Sequence, residues 1–257
     1  MPDPQIERHA ASFGRVADAY DRGRPPYPRA AVAWLAEELD VTPASTVLDL
    51  AAGTGKLTDA LLPLAGRVIA VEPLAEMRRV LTARRPEAEV LAGRAEGIPL
   101  PDKSVDAVFV AAAFHWFDAE VALEEIHRVL RAGGGLGLLW NRPEWEGEPW
   151  YADFTTMLDR AREEQEAPNR YIAGEWRAAL ERSSAYGPVR KREFRHVHRV
   201  TRDGFLARVA SWSVFAVLPD AGRDELLGAV AGLLDERGID ELDLRYRTDT
   251  YRTRARV

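Results

Sequence analysis

Five short β-rich runs alternate with amphipathic stretches through about residue 140, and no other feature restricts the possible fold so tightly. The runs are Thr46–Leu50, Arg67–Glu72, Glu89–Ala92, Asp106–Val110 and Leu136–Trp140. Between them Leu74, Met77 and Leu81 recur at spacings of three then four, and Leu123, Ile126 and Leu130 repeat the interval. Those spacings put each set on one helix face. Asp118 is placed to cap the second helix, and Gly133-Gly134-Gly135 to stop it. Upstream, Val32, Leu35 and Leu39 make another apolar stripe, with Pro28 suited to a first helical turn. Strand–helix alternation predicts an α/β fold: a parallel sheet with helices on both faces. VLDL, VIAV and AVFVA are almost continuously apolar, as central strands covered on both sides should be.

After residue 141 the pattern changes. NRPEWEGEPW reads as a loop, and residues 151–182 read as charged and helical. Glu193–Val200 and Leu242–Tyr251 alternate polar and apolar residues, as half-exposed strands do, with helical candidates at 203–216 and 221–237 between them. There is no internal repeat and no low-complexity linker. The 257 residues fit one domain. Its parts would be N-terminal cap helices over 1–40, a ligand-binding core over 41–141, and a substrate-side insertion with the last two strands over 142–257.

Composition removes several function classes. With 46% hydrophobic residues the chain can bury a full core. The absence of cysteine excludes disulfides, a thiolate zinc site and a cysteine nucleophile. Of the five histidines, His196 and His198 share one strand face but have no third ligand in view, so no metal is expected. A net charge of −6 argues against a nucleic-acid partner. No apolar run approaches a membrane span, and MPDPQIERHA lacks the apolar core of a signal peptide. The expectation is a cytoplasmic enzyme or binding protein.

The informative segment runs from Val47 to Leu57, an apolar strand entering a small-residue turn. In a doubly wound sheet, ligands bind beyond the carboxyl ends of the strands near the switch point. Gly53 and Gly55 permit unusual dihedrals and close backbone approach. The dinucleotide pattern G-x-G-x-x-G fails at Thr58, and the phosphate-cradling G-x-x-x-x-G-K-[ST] spacing is absent. Asp49 at the strand end would repel a phosphate but suit a cationic amine, so the loop favours an uncharged or cationic ligand. About twenty residues on, Glu72 ends the second run; its carboxylate can accept both hydrogen bonds of a ribose diol. Alternatively Glu72 caps the following helix, whose first turn contains Pro73.

Asp49-Leu50-Ala51-Ala52-Gly53-Thr54-Gly55 and Val71-Glu72-Pro73 resemble the first two motifs of class I S-adenosylmethionine-dependent methyltransferases. Ala95-Glu96-Gly97-Ile98-Pro99-Leu100 with Ser104-Val105-Asp106, and Leu130-Arg131-Ala132-Gly133-Gly134, are similar to the approaches to their fourth and fifth strands. The resemblance covers about residues 45–141. Phe114-His115-Trp116-Phe117, the opening Phe13, Tyr20-Asp21, Arg24-Pro25 and Tyr27-Pro28, and the closing Leu244-Arg245-Tyr246-Arg247-Thr248 look like the trans-aconitate methyltransferase-like subgroup.

The resemblance implies a doubly wound, mostly parallel seven-stranded Rossmann-like sheet with a C-terminal helical insertion, and S-adenosylmethionine as cofactor. It implies that Asp49 and the Gly53–Gly55 backbone face the methionine part, while Glu72 and Pro73 hold the ribose. Met77 packs near adenine, or is simple helix core. Ala51 stands where the family has its first glycine, which is tolerable if its φ stays negative. Arg94 replaces a common acidic residue, leaving the Ala95 backbone and Glu96 as adenine contacts. Tyr20 and Arg24 could close over the cofactor, Arg24 as a carboxylate partner or merely a solvated charge.

Ala111 and the residues to Phe117 follow the fourth strand beside the expected methyl. His115, Trp116, Phe117 and Trp140 would be substrate-side, the aromatics attracting a sulfonium or walling cofactor from substrate. His115 is the candidate general base. The expected acceptor is a small molecule methylated on oxygen. An RNA or protein substrate, or cofactor binding without catalysis, are the alternatives. Arg190-Lys191-Arg192 with Arg195, Arg199 and Arg202 reads as an anionic partner's site or, preferably, as an edge strand's exposed face. The oligomeric state is not legible.

Overall fold

A computed structural model describes residues 21–163, 175–212 and 218–256. Strands β1 (Thr46–Leu50), β2 (Arg67–Val71), β3 (Glu89–Leu91), β4 (Val105–Ala111), β5 (Leu130–Pro143), β6 (Arg190–Thr201) and β7 (Glu241–Arg254) form one sheet. Its order is β3-β2-β1-β4-β5-β7-β6. The first five strands are parallel. Against β5, β7 is antiparallel: Ala255 N donates to Gly134 O at one end, and Glu144 N to Arg245 O at the other. This is the mostly parallel seven-stranded sheet that the resemblance implies. The helices are α1 (Arg29–Glu38), α2 (Thr58–Leu61), α3 (Ala75–Arg84), α4 (Ala119–Val129), α5 (Tyr151–Glu163), α6 (Glu175–Arg182), α7 (Arg202–Ala210) and α8 (Asp220–Glu236).

The described residues fall into two compact units, a larger one over 26–141, 175–194 and 248–256 and a smaller one over 21–25, 142–163, 195–212 and 218–247. In the larger unit the strand alternation separates two cores. Leu48, Leu50, Ile69, Val108 and Val110 pack with Ala122 and Ile126 of α4 and Leu180 of α6. Val47, Val68, Ala107 and Phe109, one residue out of step, pack with Val32 and Leu35 of α1 and Leu61 of α2. Helices therefore cover both faces. Truncating a side chain such as Leu35, which is wholly buried, to alanine costs about 2–5 kcal/mol.

Asp118 caps α4 as expected, its side chain accepting from Val121 N at 3.4 Å. The glycine run does not stop that helix. Leu130 already pairs with Val105 in β5, and Gly133-Gly134-Gly135 lie within the strand, beside a register shift between Val105 and Ala107. A side chain would not fit there: a Cβ on Gly134 would stand 2.6 Å from Asp106 O, and one on Gly135 2.5 Å from Thr253 O. Leu130 accordingly belongs to the sheet and not to the α4 stripe.

In the smaller unit Trp145, Trp150, Phe154, Phe205, Val209, Leu234, Leu244 and Tyr246 form a separate core. Helix α7 starts at Thr201, whose side chain accepts from Gly204 N at 3.1 Å. The 151–182 helical reading becomes α5 and α6, with 164–174 outside the described residues; that over 203–216 becomes α7, with 213–217 outside them. β6 is an edge strand whose basic side chains meet carboxylates, Arg195 with Glu144 at 2.9 Å and Arg199 with Glu241 at 2.6 Å. Among the described residues no helix is long and apolar enough to cross a membrane, and no three His, Asp or Glu side chains gather as a metal site would need.

Candidate functional site

The chain winds from β1 to β2 and β3 on one side, then crosses to β4 and β5 on the other. That reversal puts the switch point between β1 and β4, where open α/β sheets bind ligands. Asp49 is level with Ala70 of β2 and Phe109 of β4, so the carboxyl ends of these three strands finish side by side. In the turn after β1, Ala51 has φ 57°, Gly53 58° and Gly55 90°. The condition under which alanine would sit there without strain, a negative φ, is thus not met. Ala52 N must donate to Val71 O immediately after the strand ends, and the chain reaches that bond through a left-handed residue. Such a conformation costs a non-glycine residue about 1–2 kcal/mol. Ala112, just after β4, repeats it at φ 52°. Strain of this kind gathers at binding sites because the surrounding structure over-determines it.

Two acids line the turn. Asp49 is fully buried. Its Oδ2 accepts from Thr58 Oγ1 at 2.6 Å, while Oδ1 has no donor. Burial pushes its carboxyl up to about 7, reinforced by the charge of Glu72 and opposed by the Thr58 bond and by Arg85. Glu72 is also buried, which raises its pKa. It accepts from Gly53 N through Oε2 and from Leu74 N through Oε1, both at 2.9 Å. Glu72 therefore holds the glycine turn and the residue before α3 at once, while the first turn of α3 itself has no side-chain cap. A carboxylate offers about four lone-pair sites, so each oxygen retains capacity for a hydroxyl. Two buried acids, one with an orphan oxygen, suit a cationic ammonium group better than a phosphate.

The other expected cofactor residues divide. Pro73 is exposed at the same turn, and its carbonyl accepts from Arg78 Nη1. Met77 is buried on α3 beside Val80 and Leu81. Ala95 is buried, and Glu96 lies 3.7 Å from Arg94 Nε while accepting from Asp118 N at 3.0 Å. Glu96 thus offsets the charge of Arg94. Ala111 closes β4 at the switch point. Arg24, in the smaller unit, donates Nη2 to Ser211 O at 2.8 Å, so it is not a merely solvated charge. Phe13 and Tyr20 lie outside the described residues.

Beyond β4, Phe114–Trp116 forms a short 3-10 turn. Phe114 is fully buried against Phe117, with ring centroids 5.3 Å apart, and His115 lies 4.8 Å from the Trp116 ring. Trp140, on β5, donates Nε1–H to His115 Nδ1 at 3.2 Å and meets the Trp176 ring at a tilt, with centroids 4.6 Å apart. Because an indole nitrogen can only donate, this contact assigns the neutral His115 proton to Nε2.

Two residues that matter were not singled out for a role. Thr58 occupies the place a dinucleotide motif reserves for glycine, and there it staples Asp49. Arg85, buried at the end of α3, grips both oxygens of Asp59 and donates Nη1 to Thr54 O at 2.7 Å. A Cβ on Gly55 would lie 2.9 Å from Arg85 Cδ, so this arginine walls the glycine turn. No local pattern marks it, since its partners are 26 and 31 residues away.

A switch-point glycine turn flanked by two buried acids on a sheet of this order defines the class, that of class I methyltransferases. A family profile described as a methyltransferase domain matches residues 48–138. A methyltransferase-like protein of Schizosaccharomyces pombe is 34% identical, with 91% of each chain covered. The chain belongs to the methyltransferase family. An uncharacterized methyltransferase of Mycobacterium tuberculosis is 48% identical over 58% of this chain, which spans 59% of that relative's length. Among solved structures, a proposed type II methyltransferase from Anaeromyxobacter dehalogenans is 28% identical, with a TM-score of 0.64 and 91% and 97% of the two chains covered.

Proposed function

We propose that this protein transfers a methyl group from S-adenosylmethionine to oxygen of a small-molecule acceptor, in the cytoplasm. The observation that carries this reading is the buried Asp49, with its orphan Oδ1, beside Glu72 on a left-handed turn. When bound, the cofactor supplies a methyl activated by its sulfonium. Asp49 then accepts from the ammonium of the methionine part, and Glu72 keeps the Gly53 N–H while its remaining lone pairs take the ribose diol. Met77 and the Ala95–Glu96 backbone flank the adenine. His115, Trp116, Phe117 and Trp140 form the acceptor side, where excluding water and aligning the acceptor oxygen supply much of the rate. His115 can serve as base only if the Trp140 bond yields, either freeing the Nδ1 lone pair or letting the proton move to Nδ1 so that Nε2 becomes the base. In this reading 1–257 work as one methyltransferase domain, with 41–141 for the cofactor and 142–257 contributing to acceptor recognition.

Calorimetric titration with S-adenosylmethionine and, separately, NADH tests it. The expected result is micromolar binding of the sulfonium cofactor alone, weakened more than about tenfold in Glu72→Ala by loss of the charge-assisted bonds. Labelled-methyl transfer to a dialysable, nuclease-insensitive acceptor then establishes turnover. Binding of NADH only, or of neither, refutes the proposal.

A further inference from the structure

The described residues contain two arginines buried to the same degree, and their surroundings differ sharply. Arg85 is 5% exposed and closes on the Asp59 carboxylate. Arg208, carried into the smaller unit's aromatic core by α7, is 4% exposed. Its Nε donates to Tyr246 Oη at 3.2 Å. Its guanidinium carbon lies 5.2 Å from the Trp212 ring centre and 6.0 Å from that of Tyr246. Nη1 has no acceptor, and among the described residues no carboxylate reaches this guanidinium.

A second buried donor borders the same two rings. Trp145 is 1% exposed, and its Nε1–H has no acceptor either. Its ring stacks on Trp212 at 5.9 Å and meets Tyr246 edge-on at 5.7 Å. A desolvated cation without a counter-charge is costly, and a buried N–H without an acceptor adds to that cost. The aromatic faces return part of it as cation–π attraction, yet they accept no hydrogen bond from Nη1 or from the indole N–H. What this cluster lacks among the described residues is an anion with two in-plane acceptor oxygens. Walls made of flat rings suit a planar group better than a tetrahedral one, and a carboxylate matches guanidinium N–H geometry.

We infer that the smaller unit holds a binding site for a small-molecule carboxylate, with Arg208 Nη1 and Trp145 Nε1 as its donors and Trp212 and Tyr246 as its walls. The inference does not depend on the methyl-transfer reading.

The test uses the full chain with benzoate, succinate and citrate as probes, against inorganic phosphate and chloride at matched ionic strength. Tryptophan fluorescence and thermal unfolding are the readouts. At least one carboxylate is expected to give a saturable fluorescence change and a rise in Tm, because a ligand bound only by the folded state stabilises it. Arg208→Met should weaken that binding about tenfold or more, and Trp145→Phe by a smaller factor, through loss of charge-assisted and neutral hydrogen bonds respectively. Arg208→Lys, which keeps the charge but not the fork, should fall between. S-adenosylhomocysteine titrated into the same variants should bind as it does to the parent, which separates this site from the cofactor's. A wild-type protein that answers to none of the three carboxylates overturns the inference, and that result does not require Arg208→Met to fold. So does unchanged affinity in Arg208→Met, and a preference for phosphate overturns the carboxylate assignment.

Discussion

Replacing Ala51 by glycine should make the protein more stable, which is the reverse of what an alanine-to-glycine change does in ordinary backbone. At φ 57° the Ala51 methyl crowds the following carbonyl, a conformation costing about 1–2 kcal/mol that glycine avoids. Against this, glycine gains about 0.4–1 kcal/mol of freedom in the unfolded chain. The half-buried methyl forfeits only part of the ~0.8 kcal/mol that a fully buried group contributes. The balance is stabilisation of up to about 1 kcal/mol, which for a chain of this size raises Tm by about 2–4 °C. Gly53→Ala, at φ 58° in the same turn, carries the conformational effect with opposite sign and should lose about 1 kcal/mol or more. Urea denaturation, with m checked for constancy, measures both. If Ala51→Gly lowers the midpoint while Gly53→Ala leaves it unchanged, the turn is not left-handed at these positions, and the strain argument fails.

Asp49, raised to about 7 by burial, binds its proton more tightly in the folded than in the unfolded chain. Native stability should therefore decline as pH climbs from about 4 toward 7, and Asp49→Asn should flatten that slope in denaturation series across pH. The same titration governs a cationic ligand. Affinity for S-adenosylhomocysteine should rise by up to about tenfold per pH unit below 7 and level off above it, with no such rise in Asp49→Asn by calorimetry. Arg85→Met removes the clamp on Asp59 and Thr54 O and should cost about 2–3 kcal/mol. It should also weaken cofactor affinity more than it lowers kcat, and an unaltered urea midpoint would count against the clamp. Trp140→Phe deletes the donor to His115 Nδ1, so nitrogen NMR of the His115 ring should show proton exchange between Nδ1 and Nε2 where the parent holds one tautomer. If turnover instead vanishes in Trp140→Phe while His115→Ala keeps it, the pair does not act through the histidine.

Much of this molecule is written locally along the chain. Apolar runs and three-four spacings mark β1, β2, α4 and the two-faced sheet, because each strand or helix must bury a periodic face whatever lies opposite. The glycine turn and Glu72 were equally legible, since residue type and strand position alone point to a switch-point ligand. What the spacing of residues did not carry is everything that distant groups impose. Val71 O draws Ala52 into a bond that leaves Ala51 left-handed, although its side chain gives no hint of that dihedral. Pairing with β4 makes the Gly133–Gly135 run strand and not a helix stop, and the close approach of Asp106 O and Thr253 O leaves no room for a side chain at Gly134 and Gly135. Burial raises Asp49, Arg85 reaches back 31 residues to Thr54, and Arg208 loses its water without meeting a carboxylate among the described residues. Periodicity belongs to the chain, whereas desolvation, close approach and the pairing of charges exist only once remote segments are packed together.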